Sequence, residues 1–143
     1  MYFILSASVH KTAARKLLPI QNPKSKIPMK RTLKENEQNQ TQPFSLGARQ
    51  LRSRQAQFTI IDARSWMEYV LGHIPGARYL SQSSILKEIP KDQLIVVTCL
   101  SGHRSLSTAN WLIEQGYSKV YNLQGGIMTW QQLGYPLQRG NNP

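Results

Sequence analysis

The chain has 143 residues, 40% of them hydrophobic, with one cysteine and no run near the roughly 18 apolar residues that a membrane-crossing helix needs. That supports one globular domain, and it excludes a disulfide framework and a multi-cysteine zinc or iron–sulfur centre. The net charge of +11 implies weak, sequence-independent attraction to polyanions, with no specific nucleic-acid partner expected.

The chain divides near residue 44. Residues 1–43 carry eight basic and two acidic side chains, and the first acid is Glu35. This stretch has little periodicity and ends in the polar run 35–42, so a disordered basic segment is expected. Met29 is read as the initiator of an overlong start. The alternatives are a transit peptide over residues 1–34, which are rich in base and free of acid, and a secretory signal. The signal fits less well because the apolar run Met1–Leu5 precedes the charges. The expected compartment is the cytoplasm, with organellar delivery if residues 1–34 act as a targeting segment.

From residue 44 to 143 a single α/β domain is expected. Residues 46–54 suit a short basic helix, and the β-branched run 58–63 suits a buried strand. Ser65 can cap a helix reaching Leu71, with Glu68 completing a capping box and Gly72 ending the helix. Pro75-Gly76 turns the chain into a short strand at 77–80, and 84–89 suits a short helix. Residues 94–98 (Leu-Ile-Val-Val-Thr) are the strongest strand, with no polar alternation, as in a parallel sheet covered on both faces. Residues 104–115 read as a helix with Leu106, Ala109, Leu112 and Ile113 as its apolar stripe and Gly116 at its end. A strand at 119–123 and a helix at 126–133 follow, the latter with Trp130 in the core. Alternating strand and helix predict a mainly parallel sheet.

The chemistry is expected after the strongest strand, because ligands of such sheets bind outside the strands' carboxyl ends. Cys99 opens the loop Cys99-Leu100-Ser101-Gly102-His103-Arg104, and Ser105 begins the next helix. Inward-pointing amides, a helix N-terminus and the Arg104 cation all favour thiolate over thiol. Gly102 permits a tight turn with positive φ. Cys99 is therefore read as a nucleophile. His103 could pair with it, though a solvated loop position is the plainer reading. Asp62 and Arg64 end the first long strand, where Arg64 either attracts an anionic donor or pairs with Asp62 or Glu68. His73 is read as setting a turn by hydrogen bonding. Cys99, His73 and His103 lack a spacing that would make them a zinc site, and Gly125-Gly126 is no phosphate loop because no Lys-Ser/Thr follows.

Three stretches resemble the rhodanese family of sulfurtransferases. Ile61-Asp62-Ala63-Arg64 with Glu68-Tyr69 and Gly72-His73-Ile74-Pro75-Gly76-Ala77 resembles its first signature. Cys99 to Ser105 resembles its active-site loop, and Leu123-Gln124-Gly125-Gly126-Ile127 with Trp130, Gly134 and Pro136 its closing signature. Together they cover about residues 44–137. The resemblance implies a three-layer α/β/α fold around a five-stranded, mostly parallel sheet. It also implies sulfur transfer through a persulfide on Cys99, from thiosulfate or a persulfide donor to cyanide, a thiol or a sulfur-acceptor protein. The amides of Leu100, Ser101, Gly102, His103, Arg104 and Ser105 would cradle the sulfur. No cofactor is implied.

The loop also discriminates among relatives of this fold. Cysteine phosphatases use Cys-x5-Arg to surround a phosphoryl group, and the related arsenate reductases carry the same longer loop. Here the spacing is Cys-x4-Arg, which suits a single sulfur. Thiosulfate-specialised members carry a base two places after the cysteine, whereas this chain has Ser101, so weak thiosulfate activity is expected. The other readings are a sulfur-relay or non-catalytic module docked on a partner, and a basic tail acting on RNA or membranes. The tail lacks interleaved stacking aromatics, which disfavours the last.

Overall fold

The computed structural model describes residues 40–143. The expectations for the tail (disorder, targeting over 1–34, a start at Met29) therefore fall outside the described residues up to position 39. Gln40 lies before the expected boundary at 44, yet its side chain already joins the domain. Its amide donates to the Val120 carbonyl and accepts from the Val120 N–H, at 2.6 and 2.9 Å.

The elements run β1 (Phe44–Leu46), α1 (Ala48–Arg54), β2 (Thr59–Asp62), α2 (Trp66–Leu71), β3 (Ala77–Arg78), α3 (Gln82–Glu88), β4 (Ile95–Thr98), α4 (His103–Glu114), β5 (Val120–Leu123) and α5 (Gly126–Gln132). The five strands form one sheet in the order β1-β5-β4-β2-β3, with every pair parallel. Parallel strands need crossovers that lay helices on the sheet faces. The strand side chains accordingly divide between two cores. Ile60 and Val96 face a cluster with Leu51 of α1, Tyr69 of α2, and Ile127 and Trp130 of α5. Ile61, Ile95 and Val97 face the opposite cluster, with Ile85 of α3 and Ala109 and Leu112 of α4. The three-layer α/β/α arrangement follows from that alternation. Strand β4 is central, and all four of its residues are buried, as its unbroken apolar run predicts.

Three expectations are corrected. The stretch read as a helix from residue 46 contains a strand first: Phe44–Leu46 pairs with Tyr121–Leu123, and the helix begins only after Gly47. Three residues carry no legible period, so only pairing with β5 makes this segment a strand. The strand expected over 77–80 shortens to Ala77–Arg78. The apolar stripe of α4 is rotated: Leu106 is 44% exposed, while Ser105, Ala109 and Leu112 are buried. The helix turns Ser105 inward, and Leu106 leaves the core as a consequence.

Elsewhere local signals and structure agree. Ser65 accepts from the Glu68 N–H and Glu68 accepts from the Ser65 N–H, so the capping box forms at α2. Trp130 is fully buried and donates from its indole to the Pro136 carbonyl. Among the described residues no helix is long and apolar enough to cross a membrane.

Candidate active site

Cys99 follows β4 directly and is 1% exposed. The chain then turns through Gly102, at φ 100°, into α4. That left-handed conformation is open to glycine at little cost, and it turns the loop amides inward. The Gly102 N–H donates to Cys99 Sγ at 3.1 Å, and the Ser105 hydroxyl lies 3.3 Å from the same sulfur. The amides of Ser101 and Ser105 also act on it. Burial pushes the Cys99 thiol up, but the hydrogen bonds from Ser105, Gly102 and Ser101 outweigh it, and the net shift is downward. These hydrogen bonds favour the thiolate form of Cys99.

The loop's outward carbonyls are held by the start of α5. The Ile127 N–H donates to Cys99 O at 2.9 Å, and the Met128 N–H donates to Leu100 O at 3.0 Å. This contact requires Gly126, where a Cβ would fall 2.4 Å from Cys99 O and 2.5 Å from Leu100 O. The closing glycine pair therefore serves the cysteine loop as well as the turn into α5.

Asn122 of β5 was not singled out in the sequence. Its side-chain Nδ2 donates to Gly102 O at 3.1 Å, and its Oδ1 accepts from the Ser105 hydroxyl at 2.5 Å. It thus grips both residues that reach the sulfur. The only local signal was an amide within the otherwise apolar Val120–Leu123 strand.

Removal of the Ser105 hydroxyl is expected to raise the midpoint of Cys99 ionisation. The hydroxyl has one proton, shared between Sγ and Asn122 Oδ1, and its share toward sulfur favours the thiolate. Thiolate absorbance followed against pH in Ser105→Ala checks this, and an unmoved midpoint would remove Ser105 from the cradle.

The remaining candidates are distributed as follows. Arg64 does not face the loop as a free cation: its guanidinium forms a buried, two-pronged pair with Asp62, and Nη2 also donates to Gly72 O at 2.6 Å. The pairing alternative is the one observed, making Arg64 a bracket between β2 and the end of α2, and Arg64 also lines the cavity beside Leu100. His73 is fully buried, with Nδ1 2.9 Å from Tyr69 O and Nε2 2.8 Å from Asn142 O, so it ties the end of α2 to the C-terminal segment. His103 is exposed, and its Nδ1 lies 3.1 Å from Ser101 Oγ, so the structure does not pair it with Cys99. Arg104 is half exposed and bound through both terminal guanidinium nitrogens to Glu68, at 2.8 and 2.9 Å. That pairing holds the Glu68 carboxyl far below the usual carboxylate range, assisted by hydrogen bonds from Ser65. Leu100 is exposed and lines a cavity of about 250 Å³ with Arg64, Glu68, Leu71, Ile127 and Leu137.

Comparison with known proteins agrees with this geometry. The family model described as "Rhodanese-like domain" matches residues 47–133. A thiosulfate sulfurtransferase GlpE from Pseudomonas paraeruginosa is 41% identical over 92 residues, covering 62% of this chain and 81% of that protein. A sulfurtransferase from Allochromatium vinosum is 41% identical over 81 residues, covering 54% and 76%. Among solved structures, a rhodanese-like domain from Anabaena sp. superposes with a TM-score of 0.63 at 27% identity, covering 68% of this chain and 80% of that one. The crystal structure of a thiosulfate sulfurtransferase from Pseudomonas aeruginosa gives 0.60 at 25%, covering 70% of this chain and 21% of the larger one.

Proposed function

The chain belongs to the rhodanese-like domain family and is a sulfurtransferase of the rhodanese type, and from that premise we propose that Cys99 carries the transferred sulfur. In the first half-reaction the Cys99 thiolate attacks the sulfane sulfur of the donor. A new S–S bond forms on Cys99 while the donor's own bond to that sulfur breaks, with its electron pair leaving on the departing group. With thiosulfate, the departing group is sulfite and Cys99 becomes a persulfide anion. In the second half-reaction cyanide or a thiolate attacks the outer sulfur. The product is thiocyanate or a new persulfide, and the Cys99 thiolate is regenerated. Two half-reactions with one covalent intermediate give ping-pong kinetics.

One observation carries this reading: the Gly102 amide and the Ser105 hydroxyl both converge on Cys99 Sγ, at 3.1 and 3.3 Å. The same donors stabilise negative charge on Sγ as the thiolate attacks and again as it is regenerated when the outer sulfur is handed on. The remaining loop amides, from Leu100 through Arg104, complete the cradle in this proposal. The working unit is the domain from residue 44 onward with Gln40 joined to it at Val120, and we place its reaction in the cytoplasm, where a single thiol stays reduced. The acceptor is a small thiol, cyanide, or a cysteine of an acceptor protein.

Intact-mass measurement after incubation with thiosulfate or an organic persulfide tests this. Gain of one sulfur atom on Cys99 is expected, and no gain with any sulfane donor would contradict it. Hydrolysis of aryl phosphates is expected to be absent, since Cys-x4-Arg leaves one residue too few to surround a phosphoryl group. Ser101→Lys is expected to lower the thiosulfate KM about fivefold at low salt, the effect of roughly 1 kcal/mol from a partly solvated ion pair. Added salt should erode that gain. An unchanged KM would mean that position 101 does not face the donor.

A further inference from the structure

Two guanidinium groups lie beside the cysteine loop, and each already has an acidic partner. Arg64 is buried against Asp62, with side-chain exposures of 6% and 0%. Arg104, two residues into α4, is clasped by both oxygens of Glu68, which belongs to α2 and stands 36 residues earlier. The third place where a cation could sit, position 101, is a serine whose hydroxyl lies 3.1 Å from His103 Nδ1. The cavity beside the loop is lined by Leu71, Leu100, Ile127 and Leu137 together with Glu68 and Arg64, the latter neutralised by its pair with Asp62. Its lining includes Leu100, the residue after Cys99, and Ile127, whose amide donates to the Cys99 carbonyl.

We propose that Glu68 is a specificity-determining residue for the sulfur donor. By holding Arg104 across the rim, it denies anionic donors their counter-charge and leaves a mouth suited to persulfides with an uncharged, largely apolar body. This rests on the sulfurtransferase reading given above. An ion-paired guanidinium presents a weak dipole to an incoming dianion, whereas a free one presents a full charge. For thiosulfate to use Arg104 it must displace Glu68, whose carboxylate also accepts from the Ser65 N–H and hydroxyl and is anchored as part of the α2 cap. An apolar persulfide makes no such demand and can rest its organic body against Leu71 and Leu100.

Glu68→Gln tests this with little disturbance to the fold, because a glutamine oxygen can still accept from the Ser65 N–H in the capping box. The measurement is kcat/KM for thiosulfate and for an alkyl persulfide, with cyanide as acceptor, in the parent and the variant. The thiosulfate-to-persulfide ratio is expected to rise about fivefold to tenfold at low salt, through KM, and to fall back as salt is added. The rise is expected to vanish in Glu68→Gln with Arg104→Gln, since the freed cation is then gone. Arg104→Gln alone leaves an unpaired carboxylate at the rim and should lower the ratio below the parent's, so the inference stays testable if Glu68→Gln fails to fold. A parent active on the persulfide whose ratio does not move in either single variant overturns the inference and leaves the sulfurtransferase reading intact. A parent that acquires no sulfur from either donor overturns both.

Discussion

Replacing Cys99 by serine is expected to reduce sulfur transfer at least about 1000-fold while leaving the fold in place. A hydroxyl neither ionises near neutral pH nor forms a stable bond to a sulfane sulfur, so both half-reactions lose their nucleophile. The structural change is small. Serine fits the same volume, the Gly102 N–H can donate to oxygen as it does to sulfur, and Ser105 keeps its bond to Asn122. Stability should change by about 1 kcal/mol or less, which moves the unfolding temperature of a domain this size by no more than about 4–8 °C. Steady-state turnover, intact mass and thermal unfolding of the same preparation check the three parts together. Undiminished transfer by the serine variant would show that the sulfur is carried elsewhere.

Gly126→Ala is expected to be the most damaging single-methyl addition near the site. The new Cβ would lie 2.4 Å from Cys99 O, 2.5 Å from Leu100 O and 2.6 Å from the Leu100 carbonyl carbon. All three are backbone atoms, so no rotamer change relieves the overlap. The residue also sits at φ 58°, where an L side chain adds roughly 1–2 kcal/mol. Relief requires α5 to withdraw, which breaks the Ile127 and Met128 bonds to the loop carbonyls. A total on the order of 3–5 kcal/mol follows, with a fall in unfolding temperature of roughly 12 °C or more. Gly116→Ala provides the contrast. Its φ is also positive, at 91°, but nothing lies within 4 Å of the new methyl, so only the conformational cost of about 1–2 kcal/mol applies. Equal losses at the two positions would show that φ, and not the approach of α5 to the loop, makes Gly126 necessary.

Some of the site was legible before folding because its causes are local. The unbroken apolar run of β4 reports burial on both faces, and Cys99 follows it directly. Gly102 marks the turn because few other residues adopt its positive φ, and Ser65 with Glu68 marks a helix start because the two bond across three residues. Strand, loop and helix could therefore be read in order, and with them the proposed nucleophile and the turn that brings the Gly102 amide to its sulfur.

What only the tertiary structure decided involves partners far apart along the chain. β1 is a strand because β5 offers it a parallel edge, and three residues cannot announce that themselves. Leu106 is exposed because α4 turns Ser105 toward the sulfur, a rotation that apolar periodicity alone cannot see. Arg64 and Arg104 look alike in sequence as candidate anion binders. One is buried on Asp62, and the other is clasped by Glu68 from a different helix. Asn122 grips the loop from 17 and 20 residues away. Local spacing encodes backbone conformation and burial, so it pointed to the Cys99 loop; which charges remain free around that loop depends on how the α2 and α4 helices and strand β5 meet, and that is set by packing.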